Sequence, residues 1–475
     1  MGSHRSGPPA PRRAHDNDIH PETPSMQEAA PPLAQALPQA RHASAQTRTI
    51  VATSAGNALE MFDFTVFSYF AGLIGKTFFP VDSGAGPLLL AMATFGVGFV
   101  MRPLGGVLIG NYADRAGRRA ALTLTIVLMM IGTAAIALTP GYAQIGVAAP
   151  VLVVIGRLLQ GLSAGGEIGA STTFLMESGP LARRGYMVSW QAVSQGVAAV
   201  LGALSGAVLS ATLSPDALAS WGWRVPFVLG LALGPVGFYI RRRLDETHVE
   251  SRREGSAFRE IVDHYLGRTV LGSLMLVGST SMLYILVFYM PAYAVRTLHL
   301  PMATSFLAGC ASGLAMIVAA LISGRWIIDR VSRRKPLFAA TSLASLVCVY
   351  PAFRILIAAP SVTTMVVIVT VVMGLATLGS LAFFLLVMEA FPARVRVTAL
   401  AVIYSVGVSL FGGFAQFNVT WLLHRTGDPM SPAWYLLASG TLSLLALWRF
   451  PEQRVSDSAA PSGPPGPSGT PTQRA

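Results

Sequence analysis

The sequence predicts an all-α membrane protein with twelve transmembrane helices in two pseudo-symmetric six-helix bundles. Three observations predict it: the composition, the lengths of the apolar blocks and an internal repeat. Of 475 residues, 53% are hydrophobic and 12% charged, whereas an ordinary soluble domain carries about 25% charged residues. The apolar residues come in blocks of about 20, the length a helix needs to cross a hydrocarbon layer roughly 30 Å thick.

Twelve blocks follow one another: residues 49–74, 87–111, 120–139, 148–175, 186–211 and 222–241, then 267–293, 302–328, 336–357, 362–388, 396–421 and 431–450. Residues 1–48 are rich in Pro, Ala, His and Arg and hold no apolar core, so they do not read as a cleavable signal. They are expected to be a disordered cytoplasmic tail, as are the Pro/Ser/Gly-rich residues 451–475. Residues 49–241 then form the first bundle, the charged segment 242–266 a cytoplasmic linker, and residues 267–450 the second bundle.

The net charge is +12, from 34 Lys+Arg against 22 Asp+Glu. The arginines sit in short loops between blocks: Arg115, Arg118 and Arg119 after the second, Arg183 and Arg184 after the fourth, Arg330, Arg333 and Arg334 after the eighth, and Arg394 and Arg396 after the tenth. The alternate loops, near 80–87, 140–150, 214–220 and 358–363, are poor in basic residues. Positive loops stay inside, which puts both termini in the cytoplasm and the chain in the cell inner membrane. No basic region stands apart from the spans, so the charge argues for a lipid bilayer as partner and against nucleic acid. Cys310 and Cys348 lie singly in apolar runs and suggest neither a disulfide framework nor a metal site. No cofactor is expected, and the chain is expected to act as a monomer.

The repeat is carried by two loops. Gly110-Asn-Tyr-Ala-Asp114-Arg115-Ala-Gly117-Arg118-Arg119 recurs as Gly324-Arg-Trp-Ile-Ile-Asp329-Arg330-Val-Ser332-Arg333-Arg334, and Glu177, Pro180, Arg183 and Arg184 recur as Glu389, Pro392, Arg394 and Arg396. The offsets are 215 and 212 residues (114 to 329, 177 to 389), which implies two halves in parallel orientation. An aspartate at a helix end, with arginines one and four residues on, pairs with them and with a neighbouring helix terminus. Asp114, Arg115, Arg118, Asp329 and Arg330 are therefore candidate gating residues of a latch that forms in one conformation and breaks in another.

The first loop resembles the signature of the major facilitator superfamily, and Arg157, Gln160 and Gly161 in the fourth block resemble its second signature. The second loop departs from the pattern, with Arg325 and Ser332 where glycines are usual, so its latch is expected to be weaker or differently shaped. Gly56-Asn57-Ala-Leu-Glu60-Met-Phe-Asp63, Met101-Arg102-Pro103, Ser189-Trp190-Gln191 and Trp221-Gly-Trp223-Arg224-Val-Pro226 narrow the likeness to the metabolite:proton symporter family. Its citrate–proton symporters are the most similar members, tricarballylate carriers the next. The resemblance covers nearly all of residues 49–450. It implies a secondary transporter that moves a small organic anion, a tricarboxylate such as citrate or tricarballylate, together with protons by alternating access. A dicarboxylate, shikimate or proline/betaine carrier is the alternative, and a membrane sensor that binds without transporting is a further one.

Charges at membrane depth face a cavity or a partner. Asn57, Glu60 and Asp63, at three-residue steps, share roughly a 120° arc of one helix face, and Arg157, Gln160 and Glu167 share a narrower one. Burial favours a neutral carboxyl and a nearby arginine a charged one. A carboxyl whose surroundings alternate can therefore load a proton on one side and release it on the other. Glu60, Asp63 and Glu167 are the candidates for proton coupling, unranked, against a permanent ion pair with Arg157 that only holds helices together. Arg157 is the central candidate for an anion, with a gating role as its alternative, because a guanidinium fork matches a carboxylate. Asn57, Gln160, Gln191, Gln195 and Tyr284 are neutral candidates for the same site, each with a helix-packing alternative. Arg102, near the first of the two arginine-rich loops, reads as a gate.

Two patterns mislead. Gly161-Leu-Ser163-Ala-Gly165 spells a hydrolase elbow, but that motif needs a strand before it and this stretch lies within one apolar helix, so no enzyme is expected. Gly75-Lys76-Thr77 ends like a phosphate loop but has Phe70 where its earlier glycine belongs. The pairs Gly106/Gly110 and Gly165/Gly169 have the spacing of close helix packing.

Overall fold

The computed structural model describes residues 32–116, 118–242 and 257–452. Contacts divide the chain into Met1–Ala45 and Gln46–Ala475, and the architecture below is that of the second unit. Every regular element among the described residues is helical, and each of the twelve blocks is one. The first half holds α1 (Pro32–Tyr69), α2 (Gly86–Ala116), α3 (Arg118–Leu138), α4 (Ala148–Glu177), α5 (Arg184–Thr212) and α6 (Val225–Arg242). The second half holds α7 (Ala257–Met282), α8 (Leu307–Ile322), α9 (Arg334–Ala358), α10 (Val362–Ala390), α11 (Ala393–Gly407) and α12 (Ser431–Arg449). Eight crossings are long and apolar enough on their own, and α1 makes a ninth with its continuation Ala71–Phe78, bent by 68°. In α3 the apolar stretch is Thr123–Leu138; α6 and α12 complete the set. Exposed Val100, Leu104, Val107 and Leu108 on α2, and Val347 and Ile355 on α9, present the apolar outer surface that lipid requires.

Two expected boundaries shift. Residues 32–48, expected to lie in a disordered tail, are helical; their Ala, Leu, Gln and Arg content favours helix even without an apolar block. Residues 257–266, expected to lie in the linker, form the start of α7. Residues 1–31, 243–256 and 453–475 lie outside the described residues.

The first half is held by a close crossing of α2 and α4. A Cβ on Gly161 would lie 1.6 Å from the Gly98 carbonyl oxygen, and one on Gly165 would lie 1.9 Å from that of Arg102. The hydrolase-like Gly161–Gly165 stretch is therefore a helix contact, where missing side chains let two backbones touch. Gly110, by contrast, has open space beside it, so the expected Gly106/Gly110 packing pair does not form.

Three second-half helices change pitch along their length. Leu283–Tyr289 after α7, Ser323–Ile327 after α8 and Val408–Gly412 after α11 are π-helical. A π turn skips one residue in the hydrogen-bond ladder and leaves carbonyls available to other donors. Tyr69 at the end of α1 donates to the Val287 carbonyl at 3.0 Å, and Ser68 donates to that of Phe288 at 3.1 Å and to Gln416 Oε1 at 2.6 Å. These bonds join the halves, which also meet along α5–α8 and α2–α11.

Candidate functional site

The polar face of α1 fans out to four neighbouring helices. Asn57 turns to α5, donating to Ser194 Oγ at 2.7 Å and accepting from Gln191 Nε2 at 2.8 Å. Glu60 turns to α2, where Arg102 donates to its Oε1 at 3.1 Å. Asp63 turns to α3 and α4: Thr133 donates to its Oδ2, and Gln160 Nε2 donates to the same oxygen at 3.2 Å. The sequence groups these three residues correctly on one face. An arc of 120° is wide enough to meet four helices, so they do not share one partner.

On α4, Arg157 reaches Asp63 only through Gln160. Its Nη1 donates to Gln160 Oε1 at 2.6 Å, and Gln160 Nε2 donates onward to Asp63 and, at 2.9 Å, to Thr133 Oγ1. The Arg157 guanidinium is fully buried against the rings of Phe64, Phe67 and Phe95, 4.3–4.8 Å from their centroids. Arg102 lies 4.3 Å from the Phe99 centroid and 5.1 Å from that of Phe64. Aromatic faces support buried cations at some distance from any carboxylate. Two donor atoms on each guanidinium, Nε and Nη2 of Arg157 and Nε and Nη1 of Arg102, have no hydrogen-bond partner.

Two cavities flank this network. One, of about 40 Å³, lies inside the first half and is lined by Glu60, Asp63 and Glu167 with Thr125, Thr133 and Ser163. The α6 backbone closes it against Asp63: a Cβ on Gly230 would lie 2.7 Å from Asp63 Oδ1. The other, of about 60 Å³, lies between the halves. Its wall includes Gln191, Gln195, Thr377, Ser380, Phe384 and Tyr404, and no charged residue. Gln191 Oε1 and Thr377 Oγ1 on that wall are buried without a partner. Tyr284 packs edge-on to Phe95 and Phe99, and the preceding residue, Leu283, lines this cavity. The second half therefore packs directly, through Tyr284, on the rings around the two guanidiniums.

The structure brings together Asp63, Arg157 and Gln160, with Glu60, Glu167 and Tyr284 around them. Gln191 and Gln195 stand on the wall between the halves, with Asn57 behind Gln191. Arg102, expected near a gate, lies in the bundle interior, ion-paired with Glu60. Thr133, Gly230 and the phenylalanine cradle escape sequence reasoning: an isolated threonine or phenylalanine in an apolar span carries no signal of its own.

At the arginine-loop end, Asp329 accepts from the backbone amides of Gly185 at 2.7 Å and Tyr186 at 3.0 Å, at the start of α5. A carboxylate there meets the positive end of the helix dipole, and the contact ties the two halves. Arg330, expected to share in it, is exposed. Arg334 supplies the loop's internal bonds, donating to the carbonyls of Ile328 and Val331 and pairing with Glu389 at 3.9 Å. The side chains of Asp114, Arg115 and Arg118 lie outside the described residues.

Two bundles of apolar helices that enclose a polar cavity and an ion network define an integral, multi-pass membrane transporter. Residues 53–416 match the Major Facilitator Superfamily, and the chain belongs to it. It is 37% identical over 417 residues to a citrate-proton symporter of Salmonella typhi, covering 86% of this chain and 95% of that one. It is 36% identical over 406 residues to a citrate-proton symporter of Klebsiella pneumoniae, with 85% and 91% covered. A proline/betaine transporter of Salmonella typhimurium is 34% identical over 417 residues, with 84% and 82% covered. In fold, the chain resembles the crystal structure of a D-xylose-proton symporter, with a TM-score of 0.66 at 18% identity over 86% of this chain and 98% of that one.

Proposed function

We propose that the chain is a proton-coupled symporter of a small organic acid, with a tricarboxylate such as citrate or tricarballylate as the first candidate. The observation that carries the reading is Asp63. This carboxyl is buried at membrane depth and held by two neutral donors, Thr133 and Gln160. It connects through Gln160 to an arginine with unused donors. Such a carboxyl suits reversible protonation better than Glu60, which is ion-paired to Arg102. The similarity to two citrate-proton symporters supports the substrate class, and Arg157 and Arg102 supply the cations that an anion needs. In this reading the anion binds between the halves, which rock as rigid bodies. The arginine-loop end faces the cytoplasm, and the chain works as a monomer in the inner membrane.

A second reading is favoured by the inter-half cavity. Its uncharged wall with Phe383, Phe384 and Tyr404 suits the ammonium end of a zwitterion through ring faces, and the relatives include proline/betaine carriers. Uptake of labelled citrate into proteoliposomes, in competition with tricarballylate, a dicarboxylate and proline, separates the two. An inward gradient of one pH unit supports up to about tenfold accumulation per proton carried, since one unit is worth about 1.4 kcal/mol. Asp63→Asn is expected to reduce accumulation to equilibration while slower exchange persists. Accumulation that survives collapse of the proton gradient would sink the proposal.

A further inference from the structure

We propose that Gln160 is the relay through which protonation of Asp63 is felt by Arg157, so that taking up a proton loosens the guanidinium for an anion. The inference rests on the proton-carrying role proposed above for Asp63.

The amide stands between the two charges with both ends engaged. Its oxygen accepts from Arg157 Nη1 at 2.6 Å, and its nitrogen donates to Asp63 Oδ2 at 3.2 Å and Thr133 Oγ1 at 2.9 Å. The reverse orientation would set donor against donor and acceptor against acceptor, so the neighbours fix the amide. Thr133 makes the arrangement tolerant of two protonation states. Its hydroxyl has one proton and two acceptors in reach, Asp63 Oδ2 and the Met129 carbonyl at 2.9 Å. With Asp63 ionised, the hydroxyl donates to the carboxylate. With Asp63 protonated, the acid's O–H donates to Thr133 Oγ1, and the hydroxyl turns to Met129. No buried polar group loses its partner in either state, so only the charge changes.

That change reaches Arg157 through the amide. While Asp63 is ionised, both ends of Gln160 make charge-assisted bonds, and each strengthens the other. Protonation reduces the Asp63 end to a neutral bond, and the hold on Arg157 Nη1 weakens. The guanidinium already has Nε and Nη2 without partners. It then swings from the rings of Phe64, Phe67 and Phe95 with its whole fork available to a carboxylate. Proton and anion thus favour each other, the sign that symport requires.

The other charged groups around the pair do not replace the relay. Glu60, on Asp63's own helix, is paired with Arg102 from α2. Glu167, from α4, lines the same cavity. From α3 and α6 the facing groups are neutral, Thr133 and Gly230. From the second half Tyr284 packs on Phe95, which lies beneath Arg157.

The test measures equilibrium binding of labelled citrate to the full chain in liposomes across pH; labelled proline replaces citrate if wild type takes up only that. Because citrate itself titrates, Asp63→Asn supplies the baseline. Relative to it, wild-type affinity is expected to rise by about fivefold or more toward low pH, and Gln160→Met is expected to abolish that rise. A Gln160→Met protein with the wild-type pH dependence overturns the relay. If Asp63→Asn itself keeps the wild-type dependence, the proton reading of Asp63 falls instead. Should Gln160→Met fail to fold, Gln160→Glu decides. Its carboxyl reproduces the two-ended contact only when protonated, so the relay requires a shifted midpoint, and an unshifted one refutes it.

Discussion

The two halves repeat each other in topology and differ in chemistry. The first half buries Glu60, Asp63, Arg102, Arg157 and Glu167; in the second, the buried charge among the described residues is Arg334, at the start of α9 beside its loop. The second half carries instead the three π-helical segments, one of which, Leu283–Tyr289, offers backbone carbonyls to α1. One half therefore holds nearly all of the buried charge among the described residues, and the other packs a largely uncharged surface against it. The difference teaches that a duplicated scaffold need not duplicate its site. The arginine-rich loops recur at matching positions, yet among the described residues the ion network between α1 and α4 has no buried charged counterpart between α7 and α10.

Three substitutions test this contrast. The largest effect is expected at Arg102→Met, which removes the guanidinium neutralising Glu60; breaking a buried pair costs about 3–5 kcal/mol. Thermal unfolding should fall sharply, and the Glu60→Gln/Arg102→Met double variant should recover most of the loss. If Arg102→Met unfolds no earlier than wild type, the first half is not held by its charges. An intermediate effect is expected at Asp329→Ala, which strips the acceptor from two amides of α5 at a cost of about 1–2 kcal/mol. It should open the arginine-loop end, so that buried Ser189→Cys is alkylated about fivefold faster or more. An unchanged rate would mean the Asp329 contact is not a latch. The smallest effect is expected at Tyr69→Phe, which removes one bond to a π-segment carbonyl, worth about 0.6 kcal/mol in a membrane protein. Its melting temperature should drop by about 1–2 °C, and a drop as large as that of Arg102→Met would reverse the ranking of the two halves.

What the sequence discloses follows from how costly each feature is to hide. Twelve spans are legible because hydrocarbon tolerates little else over 20 residues. Asp63 and Arg157 are legible because ionisable groups at that depth are rare. Thr133 is not: hydroxyls are ordinary in apolar spans, and its importance comes from a contact 70 residues away. Arg102 reads as a gate from its nearness in sequence to the arginine loop, and only the packing of α1 against α2 reveals its pairing with Glu60. The π segment Leu283–Tyr289 leaves no mark either, since the donors that meet its carbonyls, Ser68 and Tyr69, sit on a distant helix. Gly161 and Gly165 carry a clear pattern whose meaning depends on whether a strand or a helix bears it.

Lys335 gives the end of α12 a mechanical role. Its ammonium donates to the carbonyls of Trp448 at 2.9 Å and Phe450 at 2.8 Å, while its amide donates to Glu452 at 2.8 Å. The final turn of α12 is thereby riveted to the loop that carries Asp329. When that loop shifts, the last turn of α12 is carried along, and a load hung on residue 452 would pull directly on the contact between the halves.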